Sequence, residues 1–309
     1  MTNLLVPGGE FLPCKPRTGR GKHKQLPLYV SKFANAVGTT EPFPAAHLTY
    51  RGRGGQYGTS ARGVRNSLGQ AARWDDSSTS GRNVMGGFCG VAAKEDCIPD
   101  LFYGTDYHSH LGTVRGGMAV HNGTGFKRLI KDITNAQFRS KFEDDLHELS
   151  GPLGIGIISD YDDQPMLIRS HLGTYALVTV GRIDNLEELT EQMLKNRSSH
   201  FSEMSGDLVN PTELVATLIN QGHTFVEGIR HAQETISGSC SLLLMTGEAI
   251  YAARDRFGRT PVALGRKPGA HAVVMETCAF PNLDYETQRH LGPAEILRIT
   301  AETTETVQP

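Results

Sequence analysis

The chain has no apolar run approaching the roughly 18 residues that a membrane-spanning helix needs, which excludes a bilayer-spanning helical protein. Its N-terminus lacks the continuous apolar core of a secretory signal. Cysteine is sparse, with only Cys14, Cys89, Cys97, Cys240 and Cys278. An odd, scattered set suits a reducing compartment and a cytoplasmic location better than a disulfide framework. No internal repeat is present. Gly151–Gly156 is not followed by the strand, turn and helix of a dinucleotide fingerprint. What remains, 38% hydrophobic and 21% charged residues, is ordinary for a globular protein.

Net charge is also nearly absent at −2, but this hides a division. Residues 1–84 hold 12 Lys and Arg against 4 Asp and Glu, a balance of +8, while residues 85–309 hold 19 against 29, a balance of −10. The basic part carries 12 glycines, 6 prolines and no amphipathic period. It reads as a disordered leader, removed in the mature protein or not truly translated, because it has too few apolar groups to offset the entropy of ordering. Arg51-Gly52-Arg53-Gly54-Gly55-Gln56-Tyr57 is a weak nucleic-acid signal, and nucleic acid is not the expected partner. An Arg-rich transit peptide is a competing reading of the same composition.

The body alternates strand and helix signals. Strands are expected at Gly90–Ala92, Gly116–Val120, Phe126–Ile133, Leu153–Ile158, Met166–Ser170 and Tyr175–Val180, and helices over 96–112 and 135–149. Asn185 with Glu188 reads as a capping box, Pro211 as a helix start, and Phe225–Ile236 as a third helix of the middle region. Five late strand runs, at 240–245, 249–254, 261–265, 272–275 and 296–299, read as an antiparallel meander. Together these predict an α+β fold with two sheet layers and helices outside.

Chemistry concentrates at Cys89. A free thiol has a pKa near 8.5 and needs a base or a positive neighbour to form the thiolate. If Cys89 becomes the chain terminus, its own α-amine, with a pKa of about 7.7–8.0, supplies that base, and Gly90 removes bulk beside the sulfur. If it stays inside the chain, it is a small buried residue in a strand. Both readings stay open on local sequence. His108-Ser109-His110 is no metal site on this reading, since two histidines at i and i+2 on a helix diverge, and no cofactor is expected. Arg254-Asp255-Arg256 reads as a strand-end turn holding an ion pair rather than a phosphate site.

Beyond these local signals, the body resembles the N-terminal class II glutamine amidotransferase domain of amidophosphoribosyltransferase over about 220 residues. The residues that carry this likeness are Cys89-Gly90-Val91, Asp100-Leu101-Phe102-Tyr103-Gly104, His110-Leu111-Gly112, Gly116-Gly117-Met118-Ala119 and Gly154-Ile155-Gly156. Gly181 with Asn185-Leu186-Glu187-Glu188-Leu189, Thr212-Glu213-Leu214, Tyr251–Val262, Met275-Glu276-Thr277 and Gly292–Ile296 follow in order.

The resemblance implies an N-terminal-nucleophile fold, a four-layer αββα sandwich of antiparallel sheets. It implies Cys89 as the nucleophile that forms a thioester with glutamine or a related small amide, and Gly181 as the backbone oxyanion donor. It also implies a separate phosphoribosyltransferase or synthase domain as ammonia acceptor, of which this chain carries no recognisable half; a homo-oligomer stays open. Several expected residues differ. The family's oxyanion Asn falls on Val180, its carboxylate-binding Arg on Ser159, its amine-binding Asp on Pro211, and its His-Arg-Gly on His110-Leu111-Gly112. Loss of one oxyanion donor costs on the order of 10²–10³ in rate. The nearest substitutes for the substrate clamp are Asp160 and Arg182. A partly degraded glutaminase, a non-catalytic binding or regulatory domain, and an amidohydrolase with another substrate are the readings in competition.

Overall fold

A computed structural model describes residues 86–309 apart from 161, 196–200, 202–203 and 206–207. The expected leader, residues 1–84, and its Arg-Gly tract lie outside the described residues. In chain order the elements begin with β1 (Gly86–Ala93), α1 (Ile98–Asp106), β2 (Arg115–His121), β3 (Phe126–Asp132), α2 (Phe138–Phe142), β4 (Leu153–Ser159), β5 (Met166–Ser170) and β6 (Gly173–Ile183). The middle holds α3 (Leu186–Lys195), the two-residue pair β7 (Met204–Ser205) and β8 (Leu208–Val209), α4 (Pro211–Ile219) and α5 (Phe225–Thr235). The chain then runs through β9 (Gly238–Met245), β10 (Ile250–Ala253), β11 (Ala263–Lys267), β12 (Ala270–Val274), α6 (Ala279–Asn282), β13 (Glu286–His290), β14 (Ile296–Ile299) and β15 (Thr304–Gln308).

Two antiparallel sheets result. One has the order β13-β11-β12-β1-β4-β2-β3, the other β15-β14-β10-β9-β6-β5. Successive strand residues face opposite ways, so each central strand feeds two cores. Phe88, Ile155 and Ile157 meet Val178, Leu243 and Met245 between the sheets. Cys89, Val91, Met118 and Ile158 face α1 and α2 on one outside, and Tyr175, Leu177, Leu242 and Leu244 face α3, α4 and α5 on the other. Three apolar interfaces separate four layers, the αββα sandwich expected from the resemblance. Each large apolar side chain fully buried in them contributes about 1.5–3 kcal/mol.

Several expectations shift for local reasons. The helix foreseen over 96–112 stops at Asp106, followed by a 3₁₀ turn at Ser109–Leu111. His108 causes the break: its ring Nδ1 takes the Gly104 carbonyl at 2.7 Å, while its backbone N–H bonds Thr105 O instead. The 135–149 helix contracts to α2 with a 3₁₀ segment at Glu143–Glu148. Asn185 spends its side chain on α5, accepting from Ser237 N at 2.9 Å and donating to Thr235 O at 3.1 Å, while Glu188 pairs with Gln192. The late meander is split: β9, β10 and β14 lie in one sheet, β11 and β12 in the other. Asn210 caps α4, accepting from Thr212 N at 2.8 Å and Glu213 N at 3.3 Å, with Pro211 in the first turn.

Candidate functional site

Cys89 is not at the start of its strand. It stands fourth in β1, opposite Val274 of β12 and Gly156 of β4. Its thiol lies beneath α1, 1% exposed, and a side chain at Gly104 would strike the sulfur at 2.5 Å. Burial pushes the Cys89 thiol up, and the carboxylate of Asp100 and then Cys97 push it the same way. Asp100 itself accepts from Lys267 Nζ at 2.8 Å and from the Tyr285 hydroxyl at 2.7 Å, so a half-buried ionic cluster backs the sulfur without lying against it as a base. In the intact chain Cys89 is therefore a protonated, inaccessible thiol.

The three residues ahead of Cys89 continue the strand. Gly86, Gly87 and Phe88 pair with Ser159, Ile158 and Ile157 of β4, and Phe88 fills the inter-sheet core. Gly87 fits under His108 and Leu111, where any side chain would collide. Gly86 abuts Ile158 O and sits near Val180 of β6, whose Cγ2 would lie 3.6 Å from a Cβ at that position. Three residues of strand span about 10 Å. The oxyanion pair expected at Val180-Gly181 and the expected clamp position Ser159 thus gather round Gly86, not round Cys89.

Gly181 has φ +144°, and a side chain there would run into Ser239 O, so only glycine fits. Val180 is buried, facing the inter-sheet core. Asp160 is committed elsewhere: its Oδ1 accepts from Thr113 N at 2.6 Å and from Thr113 Oγ1 at 3.3 Å. It stands four residues past Gly156, about 13 Å along β4 from the partner of Cys89. Arg182 pairs with Asp184 at 2.8 Å, both half exposed, directly opposite Ser239. Neither expected clamp residue is brought to the thiol.

No motif or spacing marks the buried polar group behind this end of the sandwich. Gln164 docks on the free edge of β6, donating to Thr179 O at 3.2 Å and accepting from Thr179 N at 2.7 Å. Thr179 Oγ1 meets Thr212 Oγ1 at 2.7 Å, and Asp162 lies beyond at 3.4 Å. No spacing rule foretells a side-chain amide standing in for a strand.

His108 closes the other side. Its Nδ1–H donates to Gly104 O, which leaves Nε2 to accept from Glu276 N at 3.2 Å. Only the neutral ring can do both. Burial lowers the His108 pKa, so its contribution to stability is present above the ordinary histidine value near 6.5 and lost as pH falls below it. Denaturant midpoints should decline from pH 7 to pH 5, and His108→Gln should flatten that slope; an unchanged slope would sink the assignment. His110 instead pairs with Glu276 Oε2 at 3.0 Å. The Arg254–Arg256 turn is real, but its ion pair is not: Arg254 donates to the carbonyls of Gly258, Thr260 and Leu291, while Asp255 accepts from Phe257 N and from Thr260 N and Oγ1.

Among the described residues, no helix is long and apolar enough to cross a membrane. Residues 152–280 match the family described as glutamine amidotransferase domain. The chain is 28% identical over 234 residues to amidophosphoribosyltransferase of Bacillus subtilis, covering 72% of this chain and 47% of that one. It is 25% identical over 227 residues to amidophosphoribosyltransferase of Methanocaldococcus jannaschii, covering 70% and 47%. The solved glutamine phosphoribosylpyrophosphate amidotransferase from B. subtilis, complexed with ADP and GMP, superposes with a TM-score of 0.64 at 26% identity, over 71% of this chain and 48% of that one. The chain spans about half the length of the curated relatives it matches. The body behind Cys89 is similar to the class II glutamine amidotransferase domain of amidophosphoribosyltransferase.

Proposed function

We propose that this domain hydrolyses glutamine through Cys89, and that the chemistry is latent until the peptide bond after Phe88 is cut. The reading rests on one observation: Cys89 sits mid-strand, with Gly86–Phe88 filling the 10 Å between it and the Ser159–Val180 end. Cutting there would give Cys89 a free amine and empty that length of strand. The amine takes the thiol proton, sulfur attacks the side-chain amide carbon of glutamine, and the C–N bond breaks as the amine returns the proton to the departing ammonia. Water then hydrolyses the thioester to glutamate. The expected oxyanion donor Gly181 lies toward Gly86, about 10 Å along the strand from the sulfur, and Val180 supplies no second donor, so turnover is slow. The ammonia would pass to a phosphoribosyltransferase or synthase partner, in keeping with the names of the relatives and a place in purine biosynthesis.

A second reading, a non-catalytic ligand-binding or regulatory domain, is favoured by Val180, which points into the core instead of offering an amide. The two separate in one experiment. Protein cut after Phe88 is incubated with a glutamine-like electrophile and its mass and ammonia release from glutamine are measured. Cys89 should be labelled and no other cysteine, with slow ammonia release that Cys89→Ala abolishes. Labelling that survives Cys89→Ala, or none at all, leaves the binding domain as the better reading.

A further inference from the structure

Asp100 stands on the same stripe of α1 as Gly104, one turn earlier, and Gly104 is the residue that closes over the Cys89 sulfur. Its carboxylate is held from two other parts of the chain. Lys267 of β11 sets its Nζ 2.6 Å from Oδ2 and donates to Oδ1 at 2.8 Å, and the Tyr285 hydroxyl, just past α6, donates to Oδ2 at 2.7 Å. Burial, and then the bond to Asp100, push the Tyr285 phenol up, which keeps it the donor. Lys267 Nζ also lies 4.7 Å from the centre of the Tyr285 ring and donates to Leu283 O at 3.3 Å. Leu283 reaches the spot where the sulfur lies, its Cδ1 falling 3.6 Å from a Cβ placed on Gly104. With side-chain exposures of 18% for Asp100 and 25% for Lys267, the cluster is built against the thiol and not out on the surface.

A half-buried ion pair is a poor fastener for a helix, because apolar side chains of similar size hold as well or better without the loss of water. What it supplies is a fixed arrangement of charge beside one particular atom. The titratable groups that face Cys89 from the elements packed on it are Asp100 and Cys97 along α1 and Tyr285 past α6, with Lys267 of β11 behind Asp100. β4 and β12 set Gly156 and Val274 opposite it and bring no charge. His108, four residues past Gly104, covers Gly87 instead. Cys97 and Tyr285 are both pushed up by burial and stay neutral, so the charged members are Asp100 and Lys267, of opposite sign. A negative neighbour disfavours a thiolate and a positive one favours it.

We propose that Asp100 is a positioning residue for Cys89: through its charge, offset in part by Lys267, it sets the pH range in which the sulfur becomes a thiolate once the amine is freed. It touches neither the substrate nor the bond that breaks. The proposal rests on the reading of Cys89 as a nucleophile and adds a control that acts from behind the sulfur. Removing the negative charge leaves Lys267 alone, so ionisation moves to lower pH. Removing the positive charge leaves Asp100 alone, so ionisation moves to higher pH. A cluster that only staples α1 to β11 would behave otherwise, since loosening the cover from either side would expose the thiol and move both variants the same way.

The test uses the full chain cut after Phe88, its cysteines isotope-labelled at Cβ and the Cys89 signal assigned with Cys89→Ser. NMR then reads the ionisation of Cys89 from about pH 6 to about pH 11, whether or not the protein turns over glutamine. Asp100→Asn should lower the titration midpoint by about one pH unit, and Lys267→Met should raise it by about one or carry it above the range. Alkylation by iodoacetamide should keep the same order, Asp100→Asn reacting about tenfold faster than the parent at a pH below the parent midpoint. Should Lys267→Met alone fail to fold, Asp100→Asn combined with Lys267→Met replaces it, and its midpoint should lie above that of Asp100→Asn. Three results would each overturn the proposal: shifts of the same sign in the two variants, shifts smaller than about a third of a unit, or no titration of Cys89 in the parent and Asp100→Asn proteins. Ammonia release from glutamine is recorded on the same samples, and its absence bears on the glutaminase alone and leaves the titration result standing.

Discussion

Cutting the folded protein after Phe88 is expected to raise the reactivity of Cys89 toward a small thiol electrophile by about 10²–10⁴, the usual contribution of a positioned general base. Two changes combine. In the intact chain the Cys89 nitrogen is an amide, which accepts no proton, and burial with Asp100 and Cys97 behind it holds the thiol protonated. After the cut, the nitrogen is an amine with an ordinary pKa of about 7.7–8.0, and the sulfur loses the strand that ran on through Phe88 to Gly86. The rate should climb with pH through the amine's range, because only the neutral amine serves as base. Stopped-flow alkylation of cut and uncut protein, each followed by mapping of the labelled cysteine, measures both the ratio and the profile. Equal rates would remove the amine from the mechanism. A fast uncut protein would contradict the burial of Cys89.

Asp255→Ala should be among the most destabilising single changes in the body. Asp255 is fully buried at the end of β10 and accepts from Phe257 N at 3.1 Å, Thr260 N at 2.9 Å and Thr260 Oγ1 at 3.0 Å. Each buried donor left without a partner costs about 1–3 kcal/mol, so the loss is roughly 3 kcal/mol or more. The turn it shapes also positions Arg254, which fastens three carbonyls and ties β10 to the segment before β14. Arg259→Ala, at the surface of the same turn, should stay within about 0.5 kcal/mol. Urea midpoints decide it: comparable losses from the two variants would mean that the carboxylate's bonds are not what holds the turn.

Much of the architecture was legible because the central strands are apolar on both faces. Leu153–Ile158 and Cys240–Met245 read as buried strands for the same reason that they feed two cores. β13 was not legible: Glu286–His290 is exposed throughout, an edge strand with no apolar period to betray it. The order of strands in the sheets also lay beyond local pattern, since β9 and β10 pair with each other while β11 and β12 cross to the other layer. At the site, the likeness to a family pointed to Cys89 and Gly181, and glycine at 181 is demanded by its backbone, at φ +144° against Ser239 O. Asp160 and Arg182 were chosen by closeness in sequence. Asp160 is held by Thr113, a residue 47 positions earlier, through a loop contact that no spacing reveals.

The strand that runs on ahead of Cys89 has a consequence in time. A lid or a loop opens and closes, and its population follows ligand concentration. Gly86–Phe88 are covalently continuous with Cys89, the nucleophile proposed above, and the amide bond that makes them so does not re-form once hydrolysed. Activation by that route has no return step. The amount of reactive protein would then record how much cutting has taken place since synthesis, independent of how much glutamine is present at the moment of measurement, and switching the activity off again would require destroying the molecule.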